Sequence, residues 1–203
     1  MRQIIAAAAM SAFLVGCSQQ TADQAATTPP PSPAPAPVPA VAVDPALTGF
    51  VHDKGADLFG YYYPSREVKV GNYKLDHLHI AGEMGFGEWE SGARTRTFGP
   101  VMLEFVDVTS PTRTNALGAQ VYSVTIRVLP TAYLVEPGRI RFVGTEPHLG
   151  EVRLDLALDT AALNRARKNA NKANSPVEVV LKGGLQVGTN PFADLGWNWF
   201  GGD

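Results

Sequence analysis

Cysteine is nearly absent: Cys17 is the one cysteine in 203 residues. A disulfide within the chain and a cysteine-built metal site are therefore excluded. A charge excess is missing too, since residues 45–203 carry 16 Lys and Arg against 17 Asp and Glu. Proteins that track phosphate backbones concentrate basic side chains, so no nucleic-acid partner is expected. After residue 17, no run approaches the roughly 20 apolar residues that span a bilayer as a helix. No serine stands in a Gly-x-Ser-x-Gly elbow, and the glycines of residues 82–90 miss the dinucleotide fingerprint because its third glycine falls on Glu90. Nothing in these patterns calls for a cofactor, and no catalytic residues are assigned.

What is present divides the chain into three parts. Residues 1–16 combine Arg2, an apolar run from Ile4 to Leu14 broken only by Ser11, and small residues up to the cysteine. A basic start, a short apolar core and a small-residue exit are the marks of a secretory signal peptide. Residues 17–45 hold eight prolines, from Pro29 to Pro45, among Ala, Thr and Gln. Repeated Pro-Ala favours polyproline II at about 3.1 Å per residue, so this stretch reads as a linker that holds a domain off a surface. Residues 46–203 are expected to form a single β-rich domain, long enough to bury roughly 70% of its unfolded surface without staples.

Leu14-Val15-Gly16-Cys17 resembles the lipobox of bacterial lipoproteins, with leucine three positions before the cysteine and a small residue one before it. The resemblance covers the first 17 residues only. It implies cleavage before Cys17, a diacylglyceryl thioether on its sulfur, and often a third acyl chain on the new amino terminus. Two or more chains anchor stably, because each buried methylene contributes about 0.8 kcal/mol. The resemblance thus implies a membrane partner through Cys17 and a place in the bacterial cell envelope. Ser18 stands where an aspartate would favour inner-membrane retention, which leans towards the outer membrane.

Within the domain the leading signal is period-two alternation between turn residues, the pattern of strands. Residues 66–70 and 73–81 flank Gly71-Asn72 as a hairpin, and residues 132–135 and 139–143 flank Glu136-Pro137-Gly138 as a second. Residues 119–129 read as one strand with Tyr122, Val124, Ile126 and Val128 on its apolar face. Val152, Leu154, Leu156 and Leu158 line another strand, and residues 101–108 are apolar on both faces, as in a covered central strand. Gly183-Gly184 interrupts a further strand as a bulge or tight turn. One short surface helix is expected over about 160–173, capped by Asp159 and stopped before Pro176. Nine or ten strands without βαβ alternation indicate an all-β fold, an antiparallel sandwich or barrel.

Chemistry has few places to sit. In a strand, His77 and His79 share a face, and two imidazoles so placed can chelate zinc or copper. A metal site wants three or four ligands, and His52, Asp53 and His148 are distant in sequence, so hydrogen-bonded strand histidines are the preferred reading. Glu88 and Glu90 would share a strand face, the arrangement a glycoside-cleaving carboxylate pair would need. Trp89, Tyr62 and Trp197 are candidate contacts to a ligand or partner, although alternation around Trp197 favours burial in the core. The expectation for function is non-catalytic: an envelope lipoprotein that binds a glycan or protein partner or serves envelope assembly. A carrier of a small apolar ligand and an envelope sugar or peptide hydrolase are the alternatives.

Overall fold

Alternating side chains pair into thirteen strands and two helices in a computed structural model that describes residues 47–116, 118–172 and 175–202. The signal-like run, Cys17 and the proline-rich stretch lie outside the described residues. The strands are β1 (Phe50–His52), β2 (Gly60–Pro64), β3 (Lys69–Val70), β4 (Tyr73–Ile80), β5 (Val101–Asp107), β6 (Thr112–Thr114) and β7 (Gln120–Tyr122). They continue with β8 (Thr125–Val128), β9 (Pro130–Glu136), β10 (Arg139–Glu146), β11 (Gly150–Leu158), β12 (Val179–Val187) and β13 (Asn190–Phe200). Helix α1 (Glu83–Glu90) follows β4, and α2 (Thr160–Asn169) joins β11 to β12. No helix among the described residues is long and apolar enough to cross a membrane.

Eleven strands form one sheet in the order β1-β9-β10-β11-β12-β13-β2-β4-β5-β8, with β3 added on β4, and the sheet curls into a half-barrel. The fold is all-β, as expected. Both hairpins form: Val70 pairs with Tyr73 around Gly71-Asn72, and Glu136 pairs with Arg139 around Pro137-Gly138. Gly71 and Gly138 take φ of +56° and +100°, which residues with a Cβ rarely adopt. Gly183 lies at a register shift between β12 and β13, so the interruption is a bulge within one strand.

Four expectations change. The sheet is mixed, because β1 runs parallel to β9. Residues 119–129 are two strands: β7 pairs with β6 in a separate ribbon, and β8 pairs with β5. Ser123 and Val124 turn away between them, held by Pro111 and Ser110, and Val124 is exposed. Residues 83–90 are helical, so Glu88 and Glu90 do not share a strand face. The expected surface helix ends at Asn169, with Ala162 and Leu163 as its buried residues.

Alternation sorts the sheet into two faces. The inner face packs Tyr62, Leu78, Ile80, Leu103, Phe105, Tyr133, Phe142, Leu154 and Trp197, all shielded from water. Helix α1 adds Phe86 and Trp89 to this core, and α2 adds Leu163. With rings of this size meeting inside the curl, the centre is a packed core. Positions one residue to either side face outward, and on β2, β4 and β5 they carry the polar and aromatic groups.

Candidate functional site

The ladder register assembles an outward-facing row from distant residues. His79 stands opposite Tyr61 on β2 and Met102 on β5, while His77 stands opposite Glu104, which in turn stands opposite Arg127 on β8. Phe200 on β13 pairs with Tyr61, extending the face to the last strand. Of the three consecutive tyrosines, Tyr62 points inward and donates its hydroxyl to the Leu58 carbonyl at 2.7 Å, leaving Tyr61 and Tyr63 outside.

A bulge concentrates the polar groups. The β4–β5 register shifts between Leu75 and His77, so Asp76 is an extra residue and does not send His77 back to the inner face. Asp76 Oδ2 lies 2.8 Å from His77 Nδ1. Glu104 accepts from Arg127 Nε at 2.7 Å, and Arg127 also donates to the Thr97 carbonyl at 2.9 Å. One ligating atom each from Asp76, His77 and Glu104 lie within 4.8 Å of one another.

Aromatic rings surround this cluster. Tyr61 lies 5.1 Å from the His77 ring and 4.9 Å from that of His79, and Tyr63 is 5.9 Å from His77. Phe98 and Phe59 approach His79 at 5.4 and 6.4 Å. Phe59, Tyr63, Phe98 and Phe200 are all exposed large hydrophobic residues. Two open hollows meet here, one of about 280 Å³ lined by Tyr61, His77, His79, Phe98, Glu104 and Arg127. The other, about 550 Å³, is bounded by Phe59, Tyr61, Tyr63, Asp76, His77 and Phe200.

Electrostatics follow from burial. His79 is 6% exposed, and desolvation, reinforced by His77 and Arg127, lowers its pKa to about 4, so it is neutral at pH 7. Its Nδ1 has no hydrogen-bond partner among the described residues. Burial, with the nearby Asp76 carboxylate, raises the Tyr63 phenol above its ordinary value and keeps it neutral.

The structure brings His77 and His79 together with the adjoining Asp76 and with Glu104 of β5, a carboxylate that the sequence pattern passes over. It places the other histidines in separate local networks. His52 sits between Glu83 and Glu90 of α1, and His148 meets Glu146 Oε1 at 2.9 Å. Asp53 Oδ1 accepts from the Gly55 amide within its own turn. Tyr62, Trp89 and Trp197 are buried in the core, so the rings available to a ligand on this face are Phe59, Tyr61, Tyr63, Phe98 and Phe200. For Tyr61 and Tyr63 the signal was alternation, since residues that flank the buried Tyr62 on β2 must face out. Comparison with protein-family models, curated proteins and solved structures finds no match to the chain.

Proposed function

We propose that the protein is a lipid-anchored cell-envelope protein that binds an envelope glycan on the outer face of β2, β4, β5 and β13. The observation that carries this reading is the exposed ring set of Phe59, Tyr63, Phe98 and Phe200 around Asp76, His77, Glu104 and Arg127. Sugars present an apolar C–H face and a rim of hydroxyls. Aromatic rings suit the first, and carboxylates and guanidinium suit the second. The packed inner face favours surface binding over enclosure of a small apolar ligand, since the hollows open outward. Glu90, one half of the carboxylate pair considered for hydrolysis, is taken up by His52 and Tyr133. The lipobox-like Leu14-Val15-Gly16-Cys17 and the proline-rich tether supply the anchor and the reach.

Co-sedimentation of the full chain with purified cell-wall glycan tests the binding. Tyr63→Ala combined with Phe200→Ala should lower the bound fraction at least tenfold while the circular dichroism spectrum stays unchanged. Equal sedimentation of variant and parent, or none of the parent, would sink the glycan reading. Cross-linking of this same face to an envelope protein instead would replace it with a protein partner. For the anchor, Cys17→Ala should move the protein from membrane to soluble fractions; full membrane retention refutes lipidation at Cys17.

A further inference from the structure

We propose that Asp76, His77 and Glu104 bind a divalent transition-metal ion of the zinc type on the outer face of β4 and β5. This goes beyond glycan binding and stands whether or not the aromatic face takes up a sugar.

The argument begins with backbone geometry. Asp76 and His77 are neighbours in sequence, and in a regular strand they would point to opposite faces. The bulge between Leu75 and His77 breaks that alternation and allows both to meet Glu104, which β5 presents opposite His77. The three ligating atoms lie within 4.8 Å of one another. Ligands around zinc at about 2.0–2.2 Å stand roughly 3.4 Å apart in a tetrahedron, a difference that side-chain torsions close without moving either strand.

Surrounding groups support the same assignment. Arg127 holds one Glu104 oxygen at 2.7 Å and is itself fixed by the Thr97 carbonyl, which orients the carboxylate and leaves its second oxygen free to coordinate. His77 Nδ1 and Asp76 Oδ2 lie 2.8 Å apart, close enough for one ion to engage both. Beside the triad, His79 is 6% exposed and lines the same hollow as His77 and Glu104. Its Nδ1 is a buried imidazole nitrogen with no hydrogen-bond partner among the described residues.

The donor set selects the metal class. One imidazole and two carboxylates suit zinc and its borderline neighbours better than calcium or magnesium, which prefer oxygen alone, or copper(I), which prefers sulfur. Two carboxylates, one of them paired with Arg127, leave the site with a net negative charge that attracts a cation. His77 and Glu104 border one open hollow and Asp76 and His77 the other, so three protein ligands leave a coordination position for water or for a ligand's oxygen.

The test is calorimetric titration of the full, untagged chain with zinc chloride, using Cys17→Ser so that a free thiol does not compete. One zinc per chain is expected, with binding weakened at least tenfold by His77→Ala and by Glu104→Gln and unchanged by His148→Ala. Cobalt(II) should give visible absorption bands that the His77→Ala variant lacks. Should a variant fold poorly, the side-chain nitrogen spectrum of the parent decides: zinc should shift the His77 ring signals and leave those of His148 in place. Absence of stoichiometric zinc in the parent, parent-like binding by both triad variants, or an unmoved His77 signal overturns the site.

Discussion

His52 lies flat on Phe86, with ring centroids 4.3 Å apart and planes 13° from parallel, and this stack ties strand β1 to helix α1. Both imidazole nitrogens are engaged on the same helix, Nδ1 with Glu90 at 2.7 Å and Nε2 with Glu83 at 3.1 Å. Glu90 also accepts the Tyr133 hydroxyl at 2.9 Å, and burial together with that carboxylate raises the tyrosine's pKa. Helix α1 has no side-chain cap and carries two glycines, so its stability comes from docking more than from propensity. His52→Ala should therefore cost about 1–3 kcal/mol, since hydrogen bonds to charged groups are worth more than neutral ones. Urea unfolding measures it, and amide exchange at Phe86 and Trp89 should quicken. A midpoint equal to the parent's would show that α1 docks without this contact.

Two glycines should respond in opposite directions to alanine. At Gly183 an added Cβ would overlap the Asp155 carbonyl oxygen on β11, a backbone atom that cannot swing aside. Gly183→Ala should lower stability by more than about 2 kcal/mol, since the sheet must shift to admit it. Gly87 is helical, and an added Cβ meets nothing within 4 Å. Gly87→Ala should raise stability by about 0.5–1 kcal/mol through helix propensity. Denaturant midpoints of the two variants check both signs.

Asp159 closes the first turn of α2 by accepting the Ala162 amide at 2.9 Å. Asp159→Ala should cost about 1 kcal/mol, typical for loss of a helix N-cap. In a protein of this size that corresponds to roughly 2–4 °C in the melting temperature, readable by calorimetry. Asp159→Asn, which can still accept the amide, should recover most of the loss.

What could be read from the sequence was local. Gly71-Asn72 and Pro137-Gly138 announce their hairpins because the turn geometry demands those residues, and Asp159 announces α2 because an orphan amide needs an acceptor. Helix α1 escaped because Gly85 and Gly87 argue against a helix, and the only contrary sign is the three-residue spacing of the buried Phe86 and Trp89. The parallel pairing of β1 with β9 joins segments about eighty residues apart, and no local pattern encodes it. The candidate site was half visible. Alternation put His77 and His79 on one face, but Glu104 reaches them through the β4–β5 register and Asp76 through a bulge, and both are properties of paired strands.

His79 should make the protein acid-sensitive in a defined window. Its native pKa is about 4, lowered by burial and by the neighbouring His77 and Arg127, whereas in the unfolded chain it returns to about 6.5. Between these values the unfolded state binds the proton and the native state does not, so stability from this group rises with pH from 4 to 6.5. Above 6.5 the group is neutral in both states, and below 4 it is charged in both, so the contribution is flat outside the window. The full difference is about 3 kcal/mol. Carboxylates titrate in the same range, so the His79 part is isolated by comparing the parent with His79→Gln in buffer containing a chelator. The variant should lose less stability than the parent as pH falls from 6.5 to 4. In the parent, the ring-proton signal of His79 should stay at its neutral position until pH approaches 4. A His79 signal that titrates near 6.5, or parallel stability curves for the two proteins, would show that the imidazole is hydrated in the native state.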